Sequence, residues 1–183
     1  LGYAEQSKKK FEHGLIRNHY VGRTFIEPTQ SIRSLGVKLK LSSTKTIVKN
    51  KSIILIDDSL VRGTTCNKIV KMLYESGAKE VHVRIACPKI QYPDFYGVDM
   101  PTREELLAYN KSNQEMCNYI KAKSLEFLSL DGLYKALIGE KRNSNYPQFS
   151  DHYFTGDYPV KPHDDIKGLK IRQLSLLSGN SNN

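Results

Sequence analysis

The chain has no tryptophan and only three cysteines and three methionines among its 183 residues. It has no apolar run near the ~20 residues that a membrane span takes, and no signal peptide is visible. Cys66, Cys87 and Cys117 are odd in number and have no paired spacing. That speaks against a disulfide framework or a zinc site and for a reducing, cytoplasmic compartment. Acidic residues are scarce, 19 against 28 basic, so the net charge is +9. The basic residues are spread out apart from Lys8, Lys9 and Lys10, and no aromatic-basic nucleic-acid module is visible. A polyanionic ligand therefore suits the charge better than nucleic acid. No internal repeat is present. With 39% apolar and 26% charged residues, the chain is that of a globular domain long enough to bury a core. The first residue is Leu1, not methionine, and Leu1 to Ser7 reads as the tail of a helix, which leads us to expect a piece of a longer protein.

What is present centres on Ser52 to Thr65, S-I-I-L-I-D-D-S-L-V-R-G-T-T. Ser52 to Ile56 is a β-branched apolar run, the pattern of a strand buried on both faces in a parallel sheet. Asp57 and Asp58 place two carboxylates at its end, and Ser59 to Thr65 form a short loop with one glycine and three hydroxyls. From Cys66 the apolar residues fall at 66, 69, 70 and 73, which is helical spacing, and Gly77 is placed to end that helix. Glu80 to Ala86 alternates into another strand. This is a βαβ unit with its polar loop at the strand's carboxyl end, where open α/β sheets bind ligands.

The N–H groups of Arg62 to Thr65 would open a helix and favour an anion there. Gly63 permits close backbone approach, and Thr64 and Thr65 add donors. One end of the loop suits a phosphate and the other offers carboxylates for vicinal hydroxyls or for a metal bound to them. Acids at a strand end often only cap or solvate it, and Asp57-Asp58 alone is open to that reading. The full string is more specific. It resembles the phosphoribosyl pyrophosphate (PRPP) motif of type I phosphoribosyltransferases, and D-D-S-L-V-R-G-T-T resembles the amidophosphoribosyltransferase branch, the first enzyme of purine synthesis.

Other stretches extend the resemblance from Leu1 to about Pro159. Arg17 to Ile26, R-N-H-Y-V-G-R-T-F-I, is basic, aromatic and carries the hinge-capable Gly22. By composition it is a lid over a polyphosphate or an ordinary strand or loop with exposed arginines. With Pro28 it matches the family's flexible loop over bound PRPP. There the loop begins K-N-R-Y; here Arg17 keeps the cation and His19 replaces an arginine. Thr29 to Leu35 suits two helical turns, Val37 to Leu41 a strand, and Lys38, Lys40, Lys45 and Lys49 a solvated face. Pro88 to Pro101 resembles the segment between the acceptor site and ammonia entry, and fits equally a packed loop anchored by Tyr92, Phe95 and Tyr96.

Phe11 to Ile16 and Leu125 to Leu130 read as strands. Thr102 to Glu105 is a capping box opening a helix with Leu106 and Leu107. Asn113 to Lys121 reads as a helix with Met116 and Ile120 on one face, and Asp131 as the cap of a helix that stops at Gly139. Phe154 to Pro159, F-T-G-D-Y-P, matches one family branch in which cysteines hold a four-iron cluster. Here Ser150, Tyr153 and Asp94 stand at those positions, so we expect no iron–sulfur cluster.

The resemblance implies an α/β, type I phosphoribosyltransferase-like fold, a mostly parallel sheet flanked by helices and truncated at the N-terminus. It implies a phosphoribosyltransferase domain over 1–139 without the pyrophosphate loop or the glutaminase domain, and a C-terminal extension over 140–183 that is disordered from Ser178. In the complete enzyme, ammonia attacks C1 of PRPP to give 5-phosphoribosylamine as Mg²⁺-bound pyrophosphate leaves. Asp57 and Asp58 would hold the ribose diol and Mg²⁺. Ser59, Arg62, Gly63, Thr64 and Thr65 would cradle the 5-phosphate. Arg17, Tyr20 and Arg23 would close the lid and meet the pyrophosphate in catalysis. The implied partners are PRPP and ammonia, with room for a separate glutaminase chain, purine nucleotides and a homo-oligomer, and none for nucleic acid or a membrane. Three readings stay open: the transferase part of an amidotransferase, with little turnover alone; a decayed, non-catalytic relic; or a PRPP-binding salvage or regulatory protein.

Overall fold

A computed structural model describes residues 1–17, 41–98, 100 and 102–160 of the chain. Its centre is a three-stranded parallel sheet in the order β3–β4–β5, with β3 at Ser52–Asp57, β4 at Glu80–Ile85 and β5 at Ser124–Phe127. Ser52 lies opposite Glu80 and Asp57 opposite Ile85, while His82 lies opposite Ser124. A separate antiparallel pair joins β1, Leu15–Arg17, to β2, Leu41–Ser43.

The βαβ unit forms as its periodicity requires. Helix α3 spans Thr64–Glu75 and buries Cys66, Ile69, Val70 and Leu73, the four positions that the helical spacing singles out. Gly77 follows its end with φ +94°, a conformation that side chains resist. Along β4 the alternation is complete: Val81, Val83 and Ile85 are buried and their neighbours are half-covered. Helix α3 packs against β4 and against α5, Asn113–Ile120, which in turn packs on β5. Leu55, Leu60, Val70, Leu73, Val83, Leu107, Met116, Ile120 and Leu125 meet in this core, each worth about 1.5–3 kcal/mol when fully buried.

Several local readings shift. On β3, Leu55 is buried but Ile56 is 46% exposed, since it points to the opposite face of the sheet, the one it shares with half-covered Arg84 on β4. The first strand is Leu15–Arg17, not Phe11 to Ile16; Phe11 is exposed and stacks edge-on with His13. The expected tail of a helix at the start is α1, Gly2–Ser7. A helical turn, α2 at Lys45–Val48, tucks Val48 into the core and leaves Lys45 and Lys49 exposed.

The Thr102/Glu105 capping box forms, but it closes a single 3₁₀ turn, Arg103–Glu105. Leu106 is then extended so that it and Leu107 are both buried, and α4 runs Leu107–Asn110. Helix α5 starts on a second capping box, Ser112 with Glu115. The last strand stops at Phe127, since Ser129 takes the cap of α6, Leu130–Ile138, by accepting from the Gly132 N–H. Asp131 therefore sits in the first turn of α6 and is not its cap. Gly139 ends that helix at φ +76° as expected.

Beyond α6 the polar sequence is fixed by side chains more than by regular structure. Tyr134 and Arg142 converge on buried Asp151, at the start of the short helix α7, His152–Thr155. Among the described residues no helix is long and apolar enough to cross a membrane. The expected helix over Thr29 to Leu35 and the start of the strand at Val37 lie outside the described residues.

Candidate functional site

The carboxyl end of β3 delivers the acid pair. Asp57 is the last residue of the strand, its carbonyl tied to the Ala86 N–H at 2.9 Å. Its Oδ1 accepts the N–H of Asp58 at 3.1 Å, and the Asp58 carboxylate accepts the Ser59 hydroxyl at 2.9 Å. Burial raises the Asp57 carboxyl above its ordinary range. The Asp58 N–H works against this and the Asp58 charge adds to it. The pair thus concentrates negative charge in a half-sheltered corner, an arrangement that a cation or a set of hydroxyl donors relieves.

Two thiols lie beside it. The Cys66 thiol is pushed up to about 12 by burial and by Asp57. Cys87 is pushed up to about 11 by burial and by Asp58 and Asp57, against the Leu60 N–H aimed at it. Both stay protonated at neutral pH and are not nucleophiles.

The loop from Ser59 to Gly63 is pinned from below. Leu60 is buried, and the Val61 carbonyl accepts the Leu107 N–H at 2.9 Å. Arg62 is turned outward to Glu105, with Nε and Nη2 each 3.3 Å from its carboxylate. Gly63 has φ +74° and heads α3. A Cβ there would stand 2.7 Å from Leu107 Cδ2 and 3.0 Å from Tyr119 Cε1. Its lack of a side chain is therefore used first for packing. Sequence reasoning assigned that freedom to ligand approach and missed Glu105, Leu107 and Tyr119 as the support. Their only signal was the buried pair Leu106-Leu107 after a capping box.

Helix α3 begins with no side-chain cap and no acid in its first turn. Its leading N–H groups are left to an outside acceptor, beside half-buried Thr64 and exposed Thr65. Asp57, Asp58, Ser59, Arg62, Gly63, Thr64 and Thr65 thus line the turn from β3 into α3 as a shelf, with acids at one side and an uncapped helix start at the other. Arg17 lies exposed at the end of β1 and makes no ion pair or hydrogen bond with this shelf among the described residues. Tyr20 and Arg23 lie outside the described residues.

No group of three or more His, Cys, Asp or Glu side chains converges on a metal position among the described residues. Two carboxylates alone fit Mg²⁺ that arrives with its own water and substrate oxygens, which is how Mg²⁺ is commonly held. A cavity of about 470 Å³ opens past the ends of β4 and β5, lined by Lys89, Gln91, Asn113, Phe127, Ser129 and Phe154 among others. None of the expected site residues lines it.

A parallel sheet whose apolar strand ends in paired aspartates and hands over to a Gly-Thr-Thr helix start is the architecture of a type I phosphoribosyltransferase. No protein-family model matches the chain. It is 55% identical over 98% of its length to the amidophosphoribosyltransferase of Rhizobium etli, and 52% identical over 98% to that of Staphylococcus aureus. Among solved structures it resembles the glutamine PRPP amidotransferase of B. subtilis complexed with ADP and GMP, with a TM-score of 0.74 and 48% identity over 87% of this chain and 35% of that one. A second, titled the allosteric regulatory enzyme of purine biosynthesis, gives a TM-score of 0.76 and 47% identity over 90% of this chain and 35% of that one. Over almost its whole length the chain is similar to the amidophosphoribosyltransferases, and it spans about 36% of the length of the R. etli relative.

Proposed function

We propose that this chain carries the ribose-phosphate half of an amidophosphoribosyltransferase site, acting in purine biosynthesis. In the reaction, ammonia attacks C1 of PRPP, the C1–O bond to pyrophosphate breaks, and 5-phosphoribosylamine forms. The observation that carries this reading is the shelf itself, an acid pair and an uncapped helix start joined by the short loop from Ser59 to Gly63. The leading N–H groups of α3, with Thr64 and Thr65, bind the 5-phosphate. Ser59 is placed between them and the acids. Asp57 and Asp58 accept from the ribose hydroxyls and fix the ring so that C1 faces its attacker. Their negative charge also favours an oxocarbenium-like transition state. When bound, Mg²⁺ neutralises the departing pyrophosphate, and Asp57 and Asp58 are the residues that would hold it.

Arg17, Tyr20 and Arg23 are proposed to form the lid. Arg62 is proposed as a reserve cation for the phosphate, since its pairing with Glu105 is half exposed and such pairs are worth only about 0–1 kcal/mol. The relatives are much longer than this chain, and we place the ammonia supply and the pyrophosphate grip in the remainder of their length or in a separate glutaminase polypeptide. Turnover by residues 1–183 alone is accordingly slight.

Calorimetric titration of the full chain with PRPP and Mg²⁺ tests this reading. Saturable binding that disappears in Asp57→Asn and weakens in Thr64→Ala supports it. Equal affinity in all three proteins, or ammonia-dependent pyrophosphate release that survives Asp57→Asn, overturns it.

A further inference from the structure

The three positions at which one branch of the family has cluster-holding cysteines come together in this chain, around a residue that sequence reasoning had not singled out. We propose that Asp94, Ser150, His152 and Tyr153 form a metal-free polar staple that fastens the connection after β4 to the segment around α7. His152 Nε2 donates to Asp94 Oδ1 at 2.8 Å, and the two side chains are 2% and 1% exposed. Asp94 Oδ2 accepts the backbone N–H groups of Tyr96 at 2.8 Å and Val98 at 2.7 Å. Burial, and the Asp94 carboxylate beside it, raise the Tyr153 phenol above its ordinary range. On its other side, His152 Nδ1 faces the Ser150 hydroxyl at 3.1 Å.

Aromatic rings close the corner. Tyr153 lies 4.0 Å from the imidazole centroid, and Tyr96 and Tyr158 each lie 5.1 Å away. Backbone bonds run across the same seam, with the N–H groups of Gln91 and Tyr92 both donating to the Tyr153 carbonyl. The Tyr158 hydroxyl donates to the Pro93 carbonyl at 2.9 Å.

The donor set does not suit an iron–sulfur cluster. Such clusters are held by thiolates, and the corner offers one carboxylate, one imidazole, one aliphatic hydroxyl and one phenol, the first three already bonded to one another. The three thiols are elsewhere: Cys66 and Cys87 flank the acid pair, and Cys117 on α5 donates to the Ala122 carbonyl. Hydrogen bonds with Asp94 at their centre therefore do the fastening that metal–sulfur bonds would do. They need neither iron nor protection from oxygen.

Three measurements on the full chain decide this. Protein expressed with iron, purified without air and supplied with iron and sulfide should contain no stoichiometric iron and show no absorbance near 400 nm; a bound cluster overturns the proposal. In the wild-type protein, long-range ¹H–¹⁵N correlation spectra should show one histidine protonated at Nε2 with a slowly exchanging N–H. Loss of that signal in Asp94→Asn, with the fold kept, assigns it to the pair, and its persistence overturns it. Asp94→Asn and His152→Leu should each lower Tm, and the double variant should lower it little further than the worse single change. Additive losses mean that the two side chains act independently and contradict the staple.

Discussion

Leu107 meets the loop before α3 twice, its N–H donating to the Val61 carbonyl at 2.9 Å and its Cδ2 lying 2.7 Å from where a Gly63 Cβ would be. The loop is thus shaped from beneath by a segment more than forty residues later. Gly63→Ala adds a clash and a strained positive φ together, each of order 1 kcal/mol or more. A loss of about 2–4 kcal/mol in chemical denaturation is expected. In a Leu107→Ala background, which carries its own core cost, Gly63→Ala should lose the part of its effect due to the clash with Leu107 and keep the part due to φ. If Gly63→Ala alone is neutral, the packing role is wrong.

Asp57 should trade stability against binding. Burial raises its carboxyl pKa, so its charged form is disfavoured in the fold. The sign follows directly: as pH rises from the ordinary carboxylate pKa through the raised one, the unfolded chain releases its proton first and the fold loses stability. Asp57→Asn should therefore raise Tm at neutral pH by a few degrees, the shift that about 1 kcal/mol gives in a chain of this size, and flatten that pH slope. The same variant should lose PRPP binding. A lower Tm in Asp57→Asn would contradict the electrostatic account.

Asp151 behaves in the opposite way. Burial pushes its carboxyl up, but Arg142, Tyr134 and Thr155 outweigh burial and hold it below the ordinary range. Its stabilisation is present above the ordinary carboxylate pKa of about 3.9 and is lost as pH falls through the lowered value. Its side chain is 4% exposed and that of Arg142 is 11% exposed, so Asp151→Asn leaves a sheltered guanidinium short of charge. A loss of about 3 kcal/mol is expected. Thermal unfolding of the variant at neutral pH checks it, with proteolysis near Lys141 as a local probe.

The thiols beside the acids should be unreactive in the native state. Cys66 and Cys117 are buried, and the Cys66 and Cys87 thiols are raised to about 12 and about 11. At pH 8 a disulfide reagent such as Ellman's should titrate all three quickly only after denaturation. Fast reaction of Cys87 in the native protein would show that the acid pair does not govern it.

The βαβ unit was legible in the sequence because its signals are local. The spacing at Cys66, Ile69, Val70 and Leu73, the alternation from Glu80 and the turn at Gly77 each determine their own element. The shelf was legible for the same reason, since all seven of its residues lie in the nine-residue stretch from Asp57 to Thr65. What escaped depends on contacts distant in the chain. Ile56 is exposed on the sheet face it shares with Arg84, and no local pattern reports which face the core covers. Arg62 turns to Glu105, 43 residues away, and His152 finds Asp94 across 58 residues. Ser129 and Asp131 are both good helix caps, and only the end of β5 decides between them.

The central claim is that a phosphorylated pentose sits where β3 passes into α3. Backbone amide chemical shifts of the ¹⁵N-labelled chain, followed during titration with ribose 5-phosphate, test it most directly. The account predicts saturable changes concentrated at Asp57 to Thr65, and their loss in Thr64→Ala. Changes confined to the cavity around Lys89 and Phe127, or no change at saturating ligand, would contradict it.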